Sequence, residues 1–408
     1  MARILFLAHR IPYPPNKGDK IRSWHIFEHL CKTHDVHLAF YVDDAKDIQY
    51  VPKLEGMAQS LSFEYVSKAR QKRRIPLGLV RGLPLTLSAY PQKKLQAYCD
   101  DLLSGDDIDL VFLFSGAVAP LVLKPGQQMS VPVIADLVDV DSAKWQAYAK
   151  ASGWPLRMLY RRESIKLAAY EKTVAQESFA TVFVSECEAA LFRQGLPDTV
   201  AQKVYGVGNG VNLTHFNPER FPPVRQGGTR VTFTGAMDYA PNVEAAQWFV
   251  RAVWPLVLAA CPQAEFVIAG GPKNRDVDAL ADTEGVKVLG YVEDMAETIR
   301  DATVVVAPLL TARGIQNKVL EGMAMAKPVV VSPAALEGIE AESGRDIITA
   351  ESPAAFADNI ISLLADPDRR EALGVNARAF VVRHHSWPHC LATLDRIVAA
   401  ALGKGAML

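Results

Sequence analysis

The sequence predicts an α/β protein made of two doubly wound domains, each built on a mostly parallel sheet. Three observations support this fold class. Short β-branched runs alternate with helical patterns, which is typical of β-α-β units. The chain has 408 residues, 50% of them hydrophobic, which suits two or three well-filled domains. A stretch rich in Gly, Pro and Asn at 204–228 interrupts the alternation, and we expect it to be a linker.

The first domain is predicted from a β-loop-α-β order at the amino terminus. RILFLAH (3–9) forms the first strand, and the loop IPYPPNKGDK leads to the helical pattern IRSWHIFEHLCKT and a second strand, VHLAFYV. Further strands are predicted at 110–114, 131–137 and 180–185. Each is followed by loop or helical residues, so parallel pairing is the simplest arrangement.

The alternation restarts after the predicted linker. RVTFTG and AEFVIAGG are predicted strands on either side of a long helix, and VKVLGYV is the next strand. Pro241 and Asn242 lie at the expected start of that helix, where they suit capping. The β-rich run TVVVAPLL (303–310) and the strand PVVVS (328–332) then enclose a further helix, which gives another β-α-β unit.

Composition excludes several classes of function. The net charge is −1, which provides no general field for nucleic acid. The five cysteines show no metal-ligand spacing and suggest reduced thiols of a cytoplasmic protein. The amino terminus MARILFLAHR suits a buried strand better than a signal peptide. No apolar run approaches the ~18–20 residues of a membrane span.

The helix between TVVVAPLL and PVVVS carries a polar set at its start. Asn317, Lys318 and Glu321 project from neighbouring faces, and a separate apolar face is expected to pack on the sheet. The polar set is therefore expected to point away from the core. The first turn of such a helix favours anions. A nucleoside diphosphate suits the set, because an ammonium matches phosphate oxygens and a carboxylate accepts from ribose hydroxyls. A solvated surface pair has the same spacing, so the pattern alone leaves both interpretations open.

Two other strand-to-helix turns have the same character. FTGAMDYAPN (233–242) contains Gly235, and PPNKGDK (14–20) contains Gly18 between two lysines. A bare glycine backbone allows close approach of a phosphate. Each turn is a weak signal alone, but three such turns in two domains favour a phosphate-bearing ligand.

The stretch DLVDVDSAKW (136–145) is a further candidate site. It places Asp139, Asp141, Lys144 and Trp145 after an apolar strand. Two carboxylates at this spacing suit Mg²⁺, recognition of a hydroxyl group, or helix capping beside a packed Trp.

Two basic segments are candidates for contact with anionic lipid. Residues 67–74 hold five Lys or Arg within seven residues, and residues 154–170 interleave apolar and basic side chains at helical spacing. Solvated faces have the same composition. Attachment to an anionic membrane surface is the functional alternative.

Five segments in order resemble the carboxyl half of glycosyltransferase family 4, the retaining nucleotide-sugar transferases of the GT-B fold. The segments are NGVNLTHFNP, FTGAMDYAPN, FVIAGG, LGYVEDM and GIQNKVLEGMAMAKPVVVSPAALEGI. PYPPNKGDKIRSWH and DLVDVDSAKW are similar to sugar transferases associated with exopolysaccharide and PEP-CTERM (exosortase) loci. The resemblance implies two Rossmann-like domains facing across a cleft. These are residues 1–207, with the terminal helix at 386–408 packing back on them, and residues 208–385.

The resemblance also implies roles for individual residues. Glu321 matches the second glutamate of the family's E-x7-E motif, which holds the donor ribose, and Lys318 matches a residue that contacts the diphosphate. Arg313 stands where the family has the first glutamate of this motif, which contacts the donor sugar. In this chain, that contact is expected to come from Arg313 or from the backbone around Gly314, Gln316 and Asn317. Other donor-binding positions implied by the match are Gly18, Gly235, Ala236, Gly290, Tyr291 and Val292. Because the resembling enzymes work without a metal, we favour recognition of an acceptor hydroxyl by Asp139, Asp141, Lys144 and Trp145.

The function implied is retaining transfer of a sugar from a nucleotide sugar, expected to be UDP-linked, to a hydroxyl of a lipid-linked or growing glycan. No metal or other cofactor is expected. The protein is expected in the cytoplasm, with peripheral contact to the inner face of the cytoplasmic membrane. A GT-B sugar-nucleotide epimerase and a non-catalytic two-lobed sugar-binding protein are the alternatives. A dehydrogenase is a weaker one, because the glycine-rich GVGNG (206–210) lies in the predicted linker.

Overall fold

The computed structural model describes residues 1–91, 93–105, 107–124, 129–222, 229–312 and 314–405. The chain divides into two compact units. The first comprises Met1–Gly208 and Leu391–Leu408, and the second comprises Asn209–Cys390. Both are α/β units with parallel sheets, as the alternation of strand and helix patterns predicts.

The first unit is built on a seven-stranded parallel sheet with the order β3-β2-β1-β4-β5-β6-β7. Its strands are β1 (Arg3–Ala8), β2 (Asp35–Val42), β3 (Ser60–Tyr65), β4 (Leu110–Phe114), β5 (Val133–Val138), β6 (Ala180–Phe183) and β7 (Val204–Gly206). Every residue of β4 is buried, so helices and loops cover both faces of the sheet there, as parallel sheets require.

The helices of this unit connect its strands. They are α1 (Gly18–Cys31), α2 (Val51–Glu55), α3 (Lys68–Val80), α4 (Leu85–Ser88), α5 (Lys93–Ser104), α6 (Asp141–Ala151), α7 (Leu156–Glu177), α8 (Glu186–Arg193) and α9 (Asp198–Ala201).

The second unit is built on a six-stranded parallel sheet with the order β10-β9-β8-β11-β12-β13. Its strands are β8 (Arg230–Thr234), β9 (Glu265–Ala269), β10 (Val286–Gly290), β11 (Val304–Ala307), β12 (Val329–Val331) and β13 (Ile348–Thr349). Its helices are α10 (Ala240–Trp248), α11 (Trp254–Ala260), α12 (Arg275–Asp278), α13 (Met295–Arg300), α14 (Asn317–Ala324), α15 (Pro333–Leu336), α16 (Pro353–Ala365) and α17 (Pro367–His384).

The last helix, α18 (Trp387–Ala401), begins in the second unit. From Leu391 onward its residues belong with the first unit. His29 of α1 lies 2.7 Å from Asp395 of α18, which ties the end of the chain to the first unit. No described helix is long and apolar enough to cross a membrane.

The order of the strands reverses at one point in each sheet. In the first sheet, β1 lies between β2 and β4, and in the second, β8 lies between β9 and β11. Connections leave in opposite directions at such a point and open a crevice at the carboxyl ends of the strands. The candidate sites are therefore expected at the ends of β1 and β4 and of β8 and β11.

A buried ion pair holds the first sheet to its first helix. Arg22 and Asp136 are both fully buried, and Arg22 Nε donates to an Asp136 carboxylate oxygen at 2.8 Å. Arg22 also donates to the carbonyl of Val207 at 2.8 Å. One guanidinium thus connects α1, β5 and the residue after β7. Removing one partner would leave an uncompensated buried charge.

The predicted linker at 204–228 is wrong over its first part. Residues 204–206 form β7, which pairs with β6 in the first sheet. Val211 forms a bridge with Ser386, and Phe216 is buried in the core of the second unit. Glycine and proline there mark turns between packed segments rather than a free connection. Residues 223–228 lie outside the described residues.

Candidate functional site

Helix α14 is fixed against the second sheet by its apolar side. Val319, Leu320 and Met323 are fully buried. Gly322 faces β11 and β12, and a Cβ there would meet Val305 at 3.1 Å and Val329 at 3.2 Å. The helix axis therefore lies close to the strands, and the first turn of α14 is held just beyond the carboxyl end of β11.

Lys318 is buried, which corrects the expectation that the polar set points away from the core. Its residue exposure is 9%, and its Nζ lies 5.1 Å from the centre of the Phe233 ring on β8. Helical spacing describes only the helix itself, whereas the end of the neighbouring strand covers this side chain. Glu321 is partly buried.

Asn242 joins the two predicted donor-binding segments. Its Oδ1 accepts from Lys318 Nζ at 2.5 Å, and its Nδ2 donates to the carbonyl of Ala236 at 2.8 Å. A Cβ on Gly235 would meet Asn242 Nδ2 at 2.7 Å. The expectation that Asn242 caps α10 is wrong, because Tyr239 occupies the N-cap position. The side chain instead fixes the glycine loop relative to Lys318.

Burial shifts the titration of both charged groups of α14. It lowers the pKa of Lys318 to about 8, with the charge of Glu321 opposing the shift. It raises the pKa of Glu321 to about 7, with Lys318 opposing. Desolvation disfavours each charged form. A bound ligand that supplied polar partners to both groups would therefore favour the charged form of each.

The end of β10 forms a further part of this edge. Gly290 has φ +68, a backbone conformation that favours glycine. Its carbonyl accepts from the N–H of Gly270 at 2.7 Å. A Cβ on Gly270 would meet the Gly235 carbonyl at 1.9 Å, so three strand ends approach closely here. Tyr291 is 73% exposed and Val292 is partly buried.

The segment before α14 is shaped by its own backbone. Gly314 is buried at φ +66, and Gln316 Nε2 donates to its carbonyl at 3.1 Å. No side chain caps the amino terminus of α14 among the described residues. Asn317 Oδ1 is buried and has no hydrogen-bond partner in the described part of the chain. Arg313 lies outside the described residues.

In the first unit, the predicted acceptor residues surround a small cleft. Asp139, Asp141 and Glu171 line a cavity of about 20 Å³. Burial raises the pKa of Asp139 to about 6, with the charge of Glu188 adding to the shift. Burial also raises the pKa of Asp141. These carboxyl groups are suited to hydrogen bonding with hydroxyl groups.

The other two predicted acceptor residues lie on α6. Lys144 and Trp145 are partly buried. The Trp145 ring packs against Tyr160 at 5.2 Å and against Tyr148 at 5.9 Å between ring centres. This packing agrees with the structural alternative for Trp145.

The glycine turn of the first unit offers less charge than its sequence suggests. Gly18 is the exposed first residue of α1. Lys20 is only 4% exposed, and its Nζ pairs with Asp47 at 2.6 Å. The ammonium of Lys20 is therefore already paired with a carboxylate of the first unit.

Residues 228–366 match a family described as glycosyl transferases group 1. The matched range contains Gly235, Asn242, Lys318 and Glu321, and Asp139 lies outside it. The match and the similar proteins below support a glycosyltransferase.

Two relatives are similar in sequence to this chain. The uncharacterized 44.6 kDa protein in the cps region of Klebsiella pneumoniae is 20% identical over 395 residues, which is 94% of this chain and 97% of that protein. The GDP-mannose-dependent monoacylated alpha-(1-6)-phosphatidylinositol monomannoside mannosyltransferase of Corynebacterium glutamicum is 32% identical over 201 residues, which is 44% of this chain and 51% of that protein.

A solved structure with the same fold contains a nucleotide sugar. The crystal structure of Anabaena HepE in complex with UDP-glucose matches with TM-score 0.64 and 14% sequence identity, and the match covers 98% of this chain and 100% of that one. The predicted GT-B fold, with its two α/β domains, is confirmed.

Sequence reasoning missed a charged cluster beside the first sheet. His9 and Arg10 directly follow β1, and Asp19 lies 3.5 Å from His9 and 2.6 Å from Arg10. Arg10 also pairs with Asp43 at 3.0 Å. His9 is close enough for its charge to act on Asp141. The signal available in the sequence was the change from an apolar strand to adjacent polar residues at its carboxyl end.

No group of three His, Cys, Asp or Glu side chains in the described ranges is arranged to hold a metal ion. The absence of a metal requirement stays a prediction.

The glutamate that anchors α6 should make stability depend on pH. Glu171 is 5% exposed and accepts from Ser142 N–H at 3.0 Å and from its hydroxyl at 2.5 Å. Burial raises the pKa of Glu171 to about 7 from its ordinary 4.5. Since the folded state holds this proton more tightly than the unfolded chain, ionisation reduces stability. The reduction is absent well below pH 4.5 and complete above pH 7.

Glu171→Gln keeps an acceptor for the Ser142 N–H and does not ionise. Relative to wild type, the variant's free energy of unfolding should increase by about 2 kcal/mol between pH 5 and pH 8. Urea denaturation at the two pH values measures it. Glu55→Gln, at an exposed position, is the control and should show no such change. If the free energy of unfolding of Glu171→Gln differs from that of wild type by the same amount at both pH values, the result would contradict the burial of this charge.

Proposed function

We propose that the protein is a retaining glycosyltransferase of family 4 that transfers a sugar from a UDP-linked donor to a hydroxyl of a lipid-linked or growing glycan. The observation that carries the proposal is the placement of Lys318. A buried ammonium lies at the first turn of α14, held by Asn242 against the loop of Gly235, at the carboxyl edge of a parallel sheet. A diphosphate would be the negatively charged partner of this ammonium.

The donor is bound through complementary charge at α14. The negative charge of the diphosphate favours the protonated form of Lys318, whose pKa burial lowers. Amide groups at the start of the helix contribute further stabilisation. The carboxylate of Glu321 accepts from the two ribose hydroxyls, and the backbone at Gly290 together with the exposed Tyr291 ring faces the base.

Two similar proteins point to different nucleobases in the donor. HepE binds UDP-glucose, whereas the mannosyltransferase from Corynebacterium glutamicum depends on GDP-mannose. We favour UDP because the HepE match extends over nearly the whole chain, and the donor panel below includes both bases.

The acceptor is assigned to the first unit. The corynebacterial relative acts on a phosphatidylinositol glycolipid, and the Klebsiella relative belongs to a cps region, which supports a role in cell-surface or exopolysaccharide synthesis. Asp139 and Asp141 would bind hydroxyl groups of the acceptor glycan. His9 adds a donor or acceptor beside them.

Catalysis in this proposal depends on stabilising the leaving group. As the bond from the anomeric carbon to the diphosphate breaks, negative charge develops on the phosphate oxygens, and Lys318 with the α14 amides stabilises it. A phosphate oxygen of the leaving group takes the proton from the acceptor hydroxyl. No side-chain nucleophile and no metal ion are required.

An epimerase acting on the same nucleotide sugar is not favoured. It would convert UDP-sugar in the absence of acceptor, whereas a transferase requires the acceptor for turnover beyond slow hydrolysis.

Binding of the donor tests the site directly. We expect one or more of UDP-glucose, UDP-galactose, UDP-N-acetylglucosamine and GDP-mannose to raise the melting temperature of the wild type. Lys318→Ala and Glu321→Ala should each weaken nucleotide binding at least about tenfold, because each removes a charge-assisted contact. Thermal shift and titration calorimetry measure both effects.

Glu284→Ala is the matched control, because this exposed carboxylate precedes β10 at the opposite edge of the sheet. It should bind the donor as the wild type does. The site assignment fails if no nucleotide sugar stabilises the wild type, or if both α14 variants respond as it does.

We also propose peripheral attachment to the inner face of the cytoplasmic membrane through the first unit. The basic segments at 67–74 and 154–170 fall largely on α3 and α7, and Arg162 of α7 donates to the carbonyls of Gly78 and Leu83. The carboxyl end of α3 therefore lies beside α7. Exposed apolar side chains accompany the basic ones; they are Leu79, Val80, Trp154, Leu156, Met158 and Ile165.

Charge reversal on this surface should remove membrane binding. Arg73→Glu combined with Arg161→Glu should reduce partition onto phosphatidylserine vesicles by about thirtyfold or more, at about 1 kcal/mol per basic residue. Arg251→Glu with Arg275→Glu, both exposed in the second unit, is the control pair. Cosedimentation measures partition. Equal binding to phosphatidylcholine and phosphatidylserine vesicles, or no effect of the first pair, would refute attachment here.

A further inference from the structure

The first unit contains a large cavity that the donor site does not explain. Its volume is about 440 Å³, which lies within the range of small-molecule pockets. It lies among α3, α4, α7 and the segment after β4. Its apolar lining includes Leu77, Leu83, Leu87, Leu123 and Val174.

The wall of this cavity is firmly built. Glu163 is fully buried and accepts from the backbone N–H groups of Leu85 and Thr86 at 2.9 and 3.1 Å, which fixes the start of α4. Gly78 of α3 lies so close to Ser88 of α4 that a Cβ would meet its Oγ at 2.4 Å. The cavity is thus a feature of the packing rather than a gap between loose segments.

Two arginines give the cavity an anionic preference. Arg74 and Arg81 line it, and Arg74 donates to the carbonyls of Ser88 and Tyr90. In the described part of the chain, neither guanidinium forms an ion pair with a carboxylate. Glu177 is the one acidic residue among the described lining residues, so the local balance of charge is positive. An apolar chain with an anionic head matches this lining.

The cavity continues toward the candidate acceptor cleft. Leu87 and Tyr170 line both the large cavity and the small cleft that holds Asp139 and Asp141. At the other side, Leu77 and Leu83 are 37% and 45% exposed. The cavity is thus open to solvent at these two leucines and connected to the cleft at Leu87 and Tyr170.

We propose that this cavity binds the apolar chain of the acceptor, an anionic lipid-linked glycan, with its phosphate at Arg74 and Arg81. The assignment rests on the proposed transferase function and specifies its acceptor as a lipid phosphate rather than a free oligosaccharide. The glycan attached to the phosphate then lies at Asp139 and Asp141. In this proposal, the enzyme selects an acceptor by its apolar chain as well as by its sugar.

Farnesyl phosphate, used below its micelle concentration, is the probe. The wild type should bind it at least about tenfold more tightly than farnesol and should not detectably bind inorganic phosphate. Leu123→Trp fills the cavity and should weaken binding about tenfold or more. Arg81→Gln, at an exposed position, should weaken it about fivefold, the effect of one basic residue beside a phosphate. Titration calorimetry measures the affinities.

Two variants in the second unit serve as matched controls. Leu256→Trp and Arg251→Gln change exposed residues that do not line the cavity, and both should bind farnesyl phosphate within twofold of wild type. Leu123→Trp should bind phosphatidylserine vesicles as the wild type does. Unchanged farnesyl phosphate affinity in both Leu123→Trp and Arg81→Gln would overturn the proposal. Parallel loss of vesicle binding in Leu123→Trp would assign the cavity to bulk lipid and overturn it as well.

Donor binding separates this proposal from the proposed function. Leu123→Trp should keep the wild-type response to the nucleotide sugar, which also shows that it is folded. If the nucleotide sugar binds and the cavity variants do not change the affinity for farnesyl phosphate, the acceptor assignment alone fails. If no nucleotide sugar binds while farnesyl phosphate binding follows the variants, the donor assignment fails and the lipid cavity is supported.

Discussion

Parallel strand pairing is the constraint on which the candidate sites depend. Every strand pair in the two sheets is parallel, so the carboxyl ends of all strands in a sheet meet at one edge. Loops that are far apart in sequence are brought together there. The crevice opens where the strand order reverses, between β8 and β11 and between β1 and β4.

Packing at that edge decides the electrostatics of the candidate donor site. Gly322 lets α14 approach β11 and β12 closely, and this approach carries Lys318 into contact with Asn242 and the Phe233 ring. The ammonium is thereby desolvated, and its pKa stays low although the charge of Glu321 opposes the shift. A buried cation of this kind gains more from a bound diphosphate than an exposed lysine would, because solvent screens the interaction less.

The sequence was sufficient for the fold, and insufficient for the contacts within the candidate sites. Alternating patterns predict strands and helices well, because each pattern is local. The burial of Lys318 and the role of Asn242 depend on how α10 and α14 pack on one sheet, 76 residues apart along the chain. The large cavity of the first unit likewise combines α3, α4 and α7 with the segment after β4, and no single stretch of sequence predicts it.

Hydrogen–deuterium exchange with and without nucleotide tests the central claim most directly. Saturating UDP-glucose or GDP-mannose should slow exchange in peptides covering 235–242 and 315–321, since a diphosphate at Lys318 contacts the amides of the glycine loop and of the first turn of α14. Peptides covering 258–264, which precede β9 at the opposite edge of the sheet, should be unaffected. Unchanged exchange in both site segments with either nucleotide sugar at saturation would contradict the account.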